Sequence, residues 1–301
     1  MSSKTPTTLV KESCGSMRMM IAKFKGETED HKLRNGDTWT TGIKTIVGDP
    51  WLAGAFQVGL SADAITGIIT ATAALPGPDS PPLGAASTMG VLGGSGTVTN
   101  TGNSIISGDL GISPGTSVTG FPPGIVTGVQ HINDATAAQA RQDFLAAQVT
   151  LSAMTTTTDL TGQDLGGKIL LPGVYFFSST AGLTGTLTLD AQGDPNAVFV
   201  FNIGSAITTA TSSSVVLINN ANPDKVFWNL GSAATLGTGT LFKGNILATS
   251  SITFVTGSTL TGRALAKVSV TMDTNSITVP PSLPPGIEHG TGTVYLLCKD
   301  M

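Results

Sequence analysis

The chain has 301 residues, of which 11% are charged and 5% aromatic, with 38 Gly and a formal net charge of −4. That balance gives no electrostatic footprint for nucleic acid or an anionic membrane, and no charge-free apolar run is long enough for a membrane-spanning helix. Low charge with clear strand patterning argues against disorder and for a repetitive all-β fold able to bury a core.

Residues 1–50 hold about half of the 15 Lys and Arg, including Lys23, Lys25, Lys32 and Arg34, and show no periodicity. Residues 51–75 are small and apolar. They resemble the core of a signal peptide, and Ala71-Thr72-Ala73 fits its small-x-small cleavage pattern. The run begins only at Trp51, however, and Asp63 interrupts it. Residues 1–82 are therefore read as a leader or poorly ordered segment of unknown role. The Pro-rich stretch 76–82 marks the boundary. Cys14 and Cys298 lie near opposite ends; they pair if the termini meet, or else are two free thiols.

From Leu83 the texture changes to short strands between Gly and Pro corners. Val91-Leu92, Thr97-Val98-Thr99, Ser104–Ser107 and Ser117-Val118-Thr119 read as strands. His131 is read as capping the turn before a helix over 134–154, with Asn133 or Asp134 as its N-cap. Ala140, Phe144, Ala147 and Leu151 follow 4-3-4 spacing and form its apolar stripe. Strands resume at 173–177, 197–201 and 225–228. The segments 190–195 and 219–224 are matching turns that protrude from successive coils.

The most regular stretch is 234–280. Three segments, 234–240, 252–258 and 270–276, follow one another at an offset of 18 residues. Thr235, Thr253 and Thr271 fall in one column, Thr238, Thr256 and Thr274 in a second, and Thr240, Ser258 and Ser276 in a third. Apolar columns run between them, the period-2 signature of strands with one buried face. One such strand per repeat reads as a β-solenoid whose coils stack ~4.8 Å apart, so that the columns become ladders on an outer face. A further rung lies at Ile207–Thr211: Thr208 extends the first column, and either Thr209 or Thr211 matches Thr238. Outward Thr is ordinary on a strand. A merely solvated face, though, would mix in Lys and Glu, and a flat uncharged face is an aggregation hazard unless it has a task. Residues 280–285 end the solenoid, and 281–301 form a tail in which Tyr295-Leu296-Leu297 can add an edge strand.

Catalytic and cofactor signatures are missing. No His or Cys pair has metal-ligand spacing, no Gly-x-Ser-x-Gly occurs, and Gly93-Gly94-Ser95-Gly96 lacks the Lys-Thr and helix of a phosphate loop. Asp190 and Asp194 have a spacing that could clamp Ca²⁺, but the calcium β-roll repeat is missing and they are read as turn residues. No enzyme, metal or cofactor is expected.

The run 107–115, followed by Val118-Thr119-Gly120-Phe121-Pro122-Pro123-Gly124, closely resembles the start of the ice-binding-like (antifreeze) proteins of polar bacteria, fungi and microalgae. So do Leu171-Pro172-Gly173-Val174-Tyr175, Val226-Phe227-Trp228, Gly262-Arg263-Ala264-Leu265-Ala266 and the closing Ser276-Ile277-Thr278-Val279-Pro280. The resemblance covers 83–280. It implies a right-handed β-solenoid of triangular section with one helix alongside, first strands packed beside last coils, secretion, and ice as the partner of one flat face. The expected ice-binding residues are Thr208, Thr211, Thr235, Thr238, Thr240, Thr253, Thr256, Ser258, Thr271, Thr274 and Ser276, on a monomer without nucleic-acid or membrane partners. The alternative is a non-catalytic adhesin or matrix protein that binds polysaccharide or another protein through a solenoid face.

Overall fold

A computed structural model of the chain describes residues 80–280 in full, together with the backbone of short strands on either side. Two compact units form, residues 77–287 and residues 1–76 with 288–301. In the latter, Ser16–Ala22 pairs antiparallel with Thr293–Lys299, the strand that contains Tyr295-Leu296-Leu297. Gly59–Ala62 pairs antiparallel with Ile69–Thr72 inside the apolar 51–75 run. The reading of 1–82 as a leader rests mostly on residues outside those described, and Cys14 lies outside them.

In residues 80–280 nearly every strand pairing is parallel, and each full coil contributes strands to three faces. Two strands, Leu241–Ala248 and Thr259–Ala266, are long enough to serve two faces, bending at Gly244 and Gly262. Both glycines have positive φ, and a Cβ on Gly262 would lie 1.9 Å from the Gly244 carbonyl oxygen, so this stacked bend has no room for a side chain.

Coil order in space departs from coil order in sequence. Val270–Asp273 pairs with Thr97–Thr101, and Thr259–Ala266 pairs with Met89–Gly93, so the first coil packs on the last. Ser117–Thr119 then pairs with Thr97–Thr101 and ends that side. From there the helix carries the chain back along the stack, and Thr158–Asp159 begins the far end by pairing with Gly173–Phe177.

The helix spans Ala135–Ser152, and Asp134 rather than Asn133 caps it, its Oδ1 accepting from the Ala137 amide at 2.8 Å. His131 Nδ1 lies 2.8 Å from Asp134 Oδ2. The Ala137 amide first, and His131 second, hold the Asp134 carboxyl below its usual range. Eighteen residues span ~27 Å, the height of about six strands. Ala140, Phe144, Ala147 and Leu151 are buried against Leu92, Leu265, Leu247, Phe227, Val200 and Val174. Asn202 Nδ2 donates to the Leu151 carbonyl at 2.8 Å and Gln148 Nε2 to that of Leu247 at 3.0 Å, which sets how far the helix can slide along the sheet.

The solenoid interior is a continuous apolar column. Within it the in-register residues Tyr175, Phe201 and Trp228 stack at centroid distances of 5.2 and 4.0 Å, and Phe242 packs beyond them, tilted against Trp228 at 4.8 Å. Burial pushes the Tyr175 phenol up to about 12. The two protruding turns stack on each other: Asn219 Nδ2 donates to Asp190 Oδ1 at 2.8 Å, and the Gly193 amide donates to the Asn219 carbonyl. Asp190 is thus committed to turn geometry.

Candidate functional site

One face is a seven-stranded parallel sheet in the order Ser117–Thr119, Thr97–Thr101, Val270–Asp273, Ile252–Phe254, Ala234–Leu236, Ile207–Thr209, Ala181–Leu183. Alternation puts Val98, Val270, Ile252, Ala234 and Ile207 inside, and the residues that follow them outside. Cα register then places Thr119, Thr99, Thr271, Thr253, Thr235, Thr208 and Gly182 in a single outward column. At ~4.8 Å per strand the six consecutive Thr extend over ~24 Å. Beside it, Ser117 and Thr97 share a register position, and the run continues through Ser269, Ser251, Ala233 and Ala206. No exposed Val, Ile, Leu, Met or Phe belongs to the strands of this sheet.

A second column lines the corner where the sheet ends. The amides of Ser212, Gly239, Gly257 and Thr274 donate to the carbonyls of Thr238, Thr256, Asp273 and Thr101. These bonds align Thr211, Thr238, Thr256, Asp273 and Thr101, one per coil, each followed by a residue at positive φ: Ser212, Gly239, Gly257, Thr274 and Gly102. Thr211, not Thr209, therefore matches Thr238; Thr209 is buried, with its hydroxyl 2.7 Å from that of Thr240.

Four expected residues lie elsewhere. Thr274 stands one place beyond its column, at φ 55°, because the coil that begins at Val270 turns with one residue fewer; Ser276 pairs with Thr259, not with Ser258. Ser276 consequently lies on the third face, paired also with Ile105. Thr240 and Ser258 are fully buried. They face inward at the corner: the Ser258 hydroxyl donates to the Val255 carbonyl at 2.8 Å and accepts from Asn275 Nδ2 at 3.0 Å. These two hydroxyls tie the corner from inside and cannot meet a ligand. Conversely, Thr99, Thr101 and Thr119 complete the columns and were not expected there. Their Thr-Val-Thr and Ser-Val-Thr strands carry the right alternation, but only the out-of-sequence coil order brings them to this sheet.

The third face is built from the same coils and is different in texture. Ile125, Ile105, Ser276, Thr259, Leu241, Ser214 and Thr186 make one outward column, with Lys243, Val216, Thr188 and Ile169 in the next. Leu241 is 54% exposed, Ile125 55% and Ile169 68%. Large side chains stand up among small ones there. Among the described residues, no group of three or more His, Cys, Asp or Glu could hold a metal ion, and no helix is long and apolar enough to cross a membrane.

The fold and its flat hydroxyl-lined sheet define a β-solenoid of three faces with one helix alongside. Residues 91–278 match the family model described as Ice-binding-like, and the chain belongs to that family. The chain is 60% identical over 171 residues to an ice-binding protein of Nostoc sp. (strain HG1), a match covering 57% of this chain and 63% of that protein. It is 30% identical over 214 residues to ice-binding protein K3-B1 of Typhula ishikariensis, covering 63% of this chain and 86% of the relative. The crystal structure of an ice-binding protein from the Antarctic ascomycete Antarctomyces psychrotrophicus superposes with a TM-score of 0.66 at 45% identity, over 67% of this chain and all of that one. The chain thus spans less than two thirds of the Nostoc relative.

Proposed function

We propose that this protein binds ice, without catalysis, through the seven-stranded Thr face. The observation that carries the reading is the column Thr119, Thr99, Thr271, Thr253, Thr235 and Thr208 on a sheet free of exposed large apolar side chains. Thr joins a methyl and a hydroxyl on one stiff β-branched stem. At the strand spacing, successive hydroxyls hold waters while the methyls confine them, and the ordered waters merge with the surface of the crystal. Each contact is weak, so the face works only if many contacts form together on a rigid plane. Adsorbed molecules make the ice front bulge between them, which lowers the local freezing point and slows recrystallisation. The family's names support ice as the target, and an extracellular site of action fits a protein that meets growing ice.

The test is ice-crystal growth on a cooled stage with the purified full chain and a Thr253→Tyr variant. Crystal shaping and a temperature gap without growth, lost in the variant while circular dichroism stays the same, support the reading. A folded wild-type protein that leaves growth untouched contradicts it.

A further inference from the structure

We propose that Asp273 limits the ice-contacting surface, and that the corner column would become a continuous second Thr ladder without it. The inference rests on the ice-binding reading of the Thr face and concerns its width. Four of the five corner positions are Thr: Thr211, Thr238, Thr256 and Thr101. The exception, Asp273, lies between Thr256 and Thr101, and it is the sole charged residue in the strands of the seven-stranded sheet.

Its carboxylate acts in two ways. First, it takes hydroxyls from its neighbours. Thr256 Oγ1 donates to Asp273 Oδ2, and Thr274 Oγ1 donates to Oδ1 at 3.1 Å. A hydroxyl that has given its single proton to a carboxylate can no longer donate to a lattice water. One acidic residue thus removes the donor of Thr256 as well as replacing a Thr. Second, the charge holds its own hydration shell through charge-assisted bonds, and placing it against a crystal that cannot solvate ions costs free energy. The ion pairs among the described residues are His131–Asp134 and Arg263–Asp224, neither of them on this face, so no basic partner offsets that cost.

The local backbone accounts for the Asp. The coil starting at Val270 turns with one residue fewer, and Thr274 occupies the positive-φ position that three of its four column mates fill with Gly. A β-branched residue is strained there, and the bond from Thr274 Oγ1 to the carboxylate props it. Asp273 therefore serves the turn at the expense of the surface.

Two substitutions separate charge from shape. Asp273→Asn removes the charge and keeps an acceptor for the turn; Asp273→Thr also restores the missing rung. Freezing-hysteresis gaps are measured on the full chain at equal molar concentration, with circular dichroism and thermal melting as folding controls. The gap should widen in Asp273→Asn and widen further, by about twofold, in Asp273→Thr, because more contacts form together. Should Asp273→Thr fold poorly, Asp273→Asn carries the test alone. A wild-type gap that stays the same or narrows in folded variants overturns the role of Asp273 while leaving the Thr face standing. No gap in the folded wild type overturns both.

Discussion

The Thr face and the third face are cut from the same coils, at the same strand spacing and with the same alternation, yet only one is level. Stacking gives both a regular grid. What separates them is residue choice at the outward positions: Thr253, Thr235 and Thr271 on one, Leu241, Ile105 and Lys243 on the other. A solenoid supplies spacing at no extra cost, whereas flatness has to be written into each coil. On the proposed ice-binding reading, the third face tolerates Leu and Ile because water adapts to an uneven surface and a crystal does not.

That contrast can be broken by changes that uncouple stability from the surface. The largest stability effect is expected for Arg263→Ala. Arg263 is 2% exposed, pairs with Asp224 and donates from Nε to the Ser87 carbonyl at 2.7 Å. Removing it should cost roughly 3–5 kcal/mol, read by chemical denaturation, with the ice-growth gap per folded molecule unchanged at low temperature. A smaller effect on stability, but a real one on ice, is expected for Ser258→Ala. It removes the hydroxyl bonds to the Val255 carbonyl and Asn275 Nδ2, but the Val255 carbonyl keeps the Ser258 amide and Asn275 Nδ2 keeps the Val255 and Ser258 carbonyls, so the cost is about 0.5–1.5 kcal/mol. Faster amide exchange at Thr256 and Gly257 together with a narrower gap is the expected outcome. The smallest is Leu241→Thr on the third face, where stability should move by no more than about 0.5 kcal/mol and the gap should hold. A gap lost on that change would shift the ice contact to the third face.

Alkaline titration probes the core that both faces share. The Tyr175 phenol is raised by burial to about 12, so the folded state favours the neutral form. The stabilisation this reflects is complete below the unfolded value of about 10 and is lost as pH rises through 12. Tyr175→Phe should flatten the stability curve between those two limits in pH-dependent melting.

The fold was legible from Thr-apolar alternation, from the helix stripe ending at Leu151 and from the family motifs. The first ladder was legible because the coils holding Thr235, Thr253 and Thr271 are equal in length up to that face. The third column and the Thr274 rung of the second were not, for two physical reasons. Alternation resets at the corner, which turns Thr240 and Ser258 inward. The coil beginning at Val270 is also short by one residue, which moves Thr274 and Ser276 out of line. Aligning Thr274 with Gly257 and Gly239 rather than with Thr256 would have revealed the shift, since those glycines mark the positive-φ corner. Thr99, Thr101 and Thr119 needed the spatial order of the coils, which strand patterning alone does not fix.

The central claim, that ice contacts the seven-stranded face and not its neighbour, is tested most directly by placing the same bulk on each. Thr253→Tyr and Thr261→Tyr put one tyrosine on each face, the latter at a position paired with Lys243 and Thr278. Both proteins would be compared with the wild type by ice-growth arrest at matched concentration and matched thermal stability. Thr253→Tyr should lose arrest and Thr261→Tyr should keep it. Arrest kept by Thr253→Tyr and lost by Thr261→Tyr would contradict the claim.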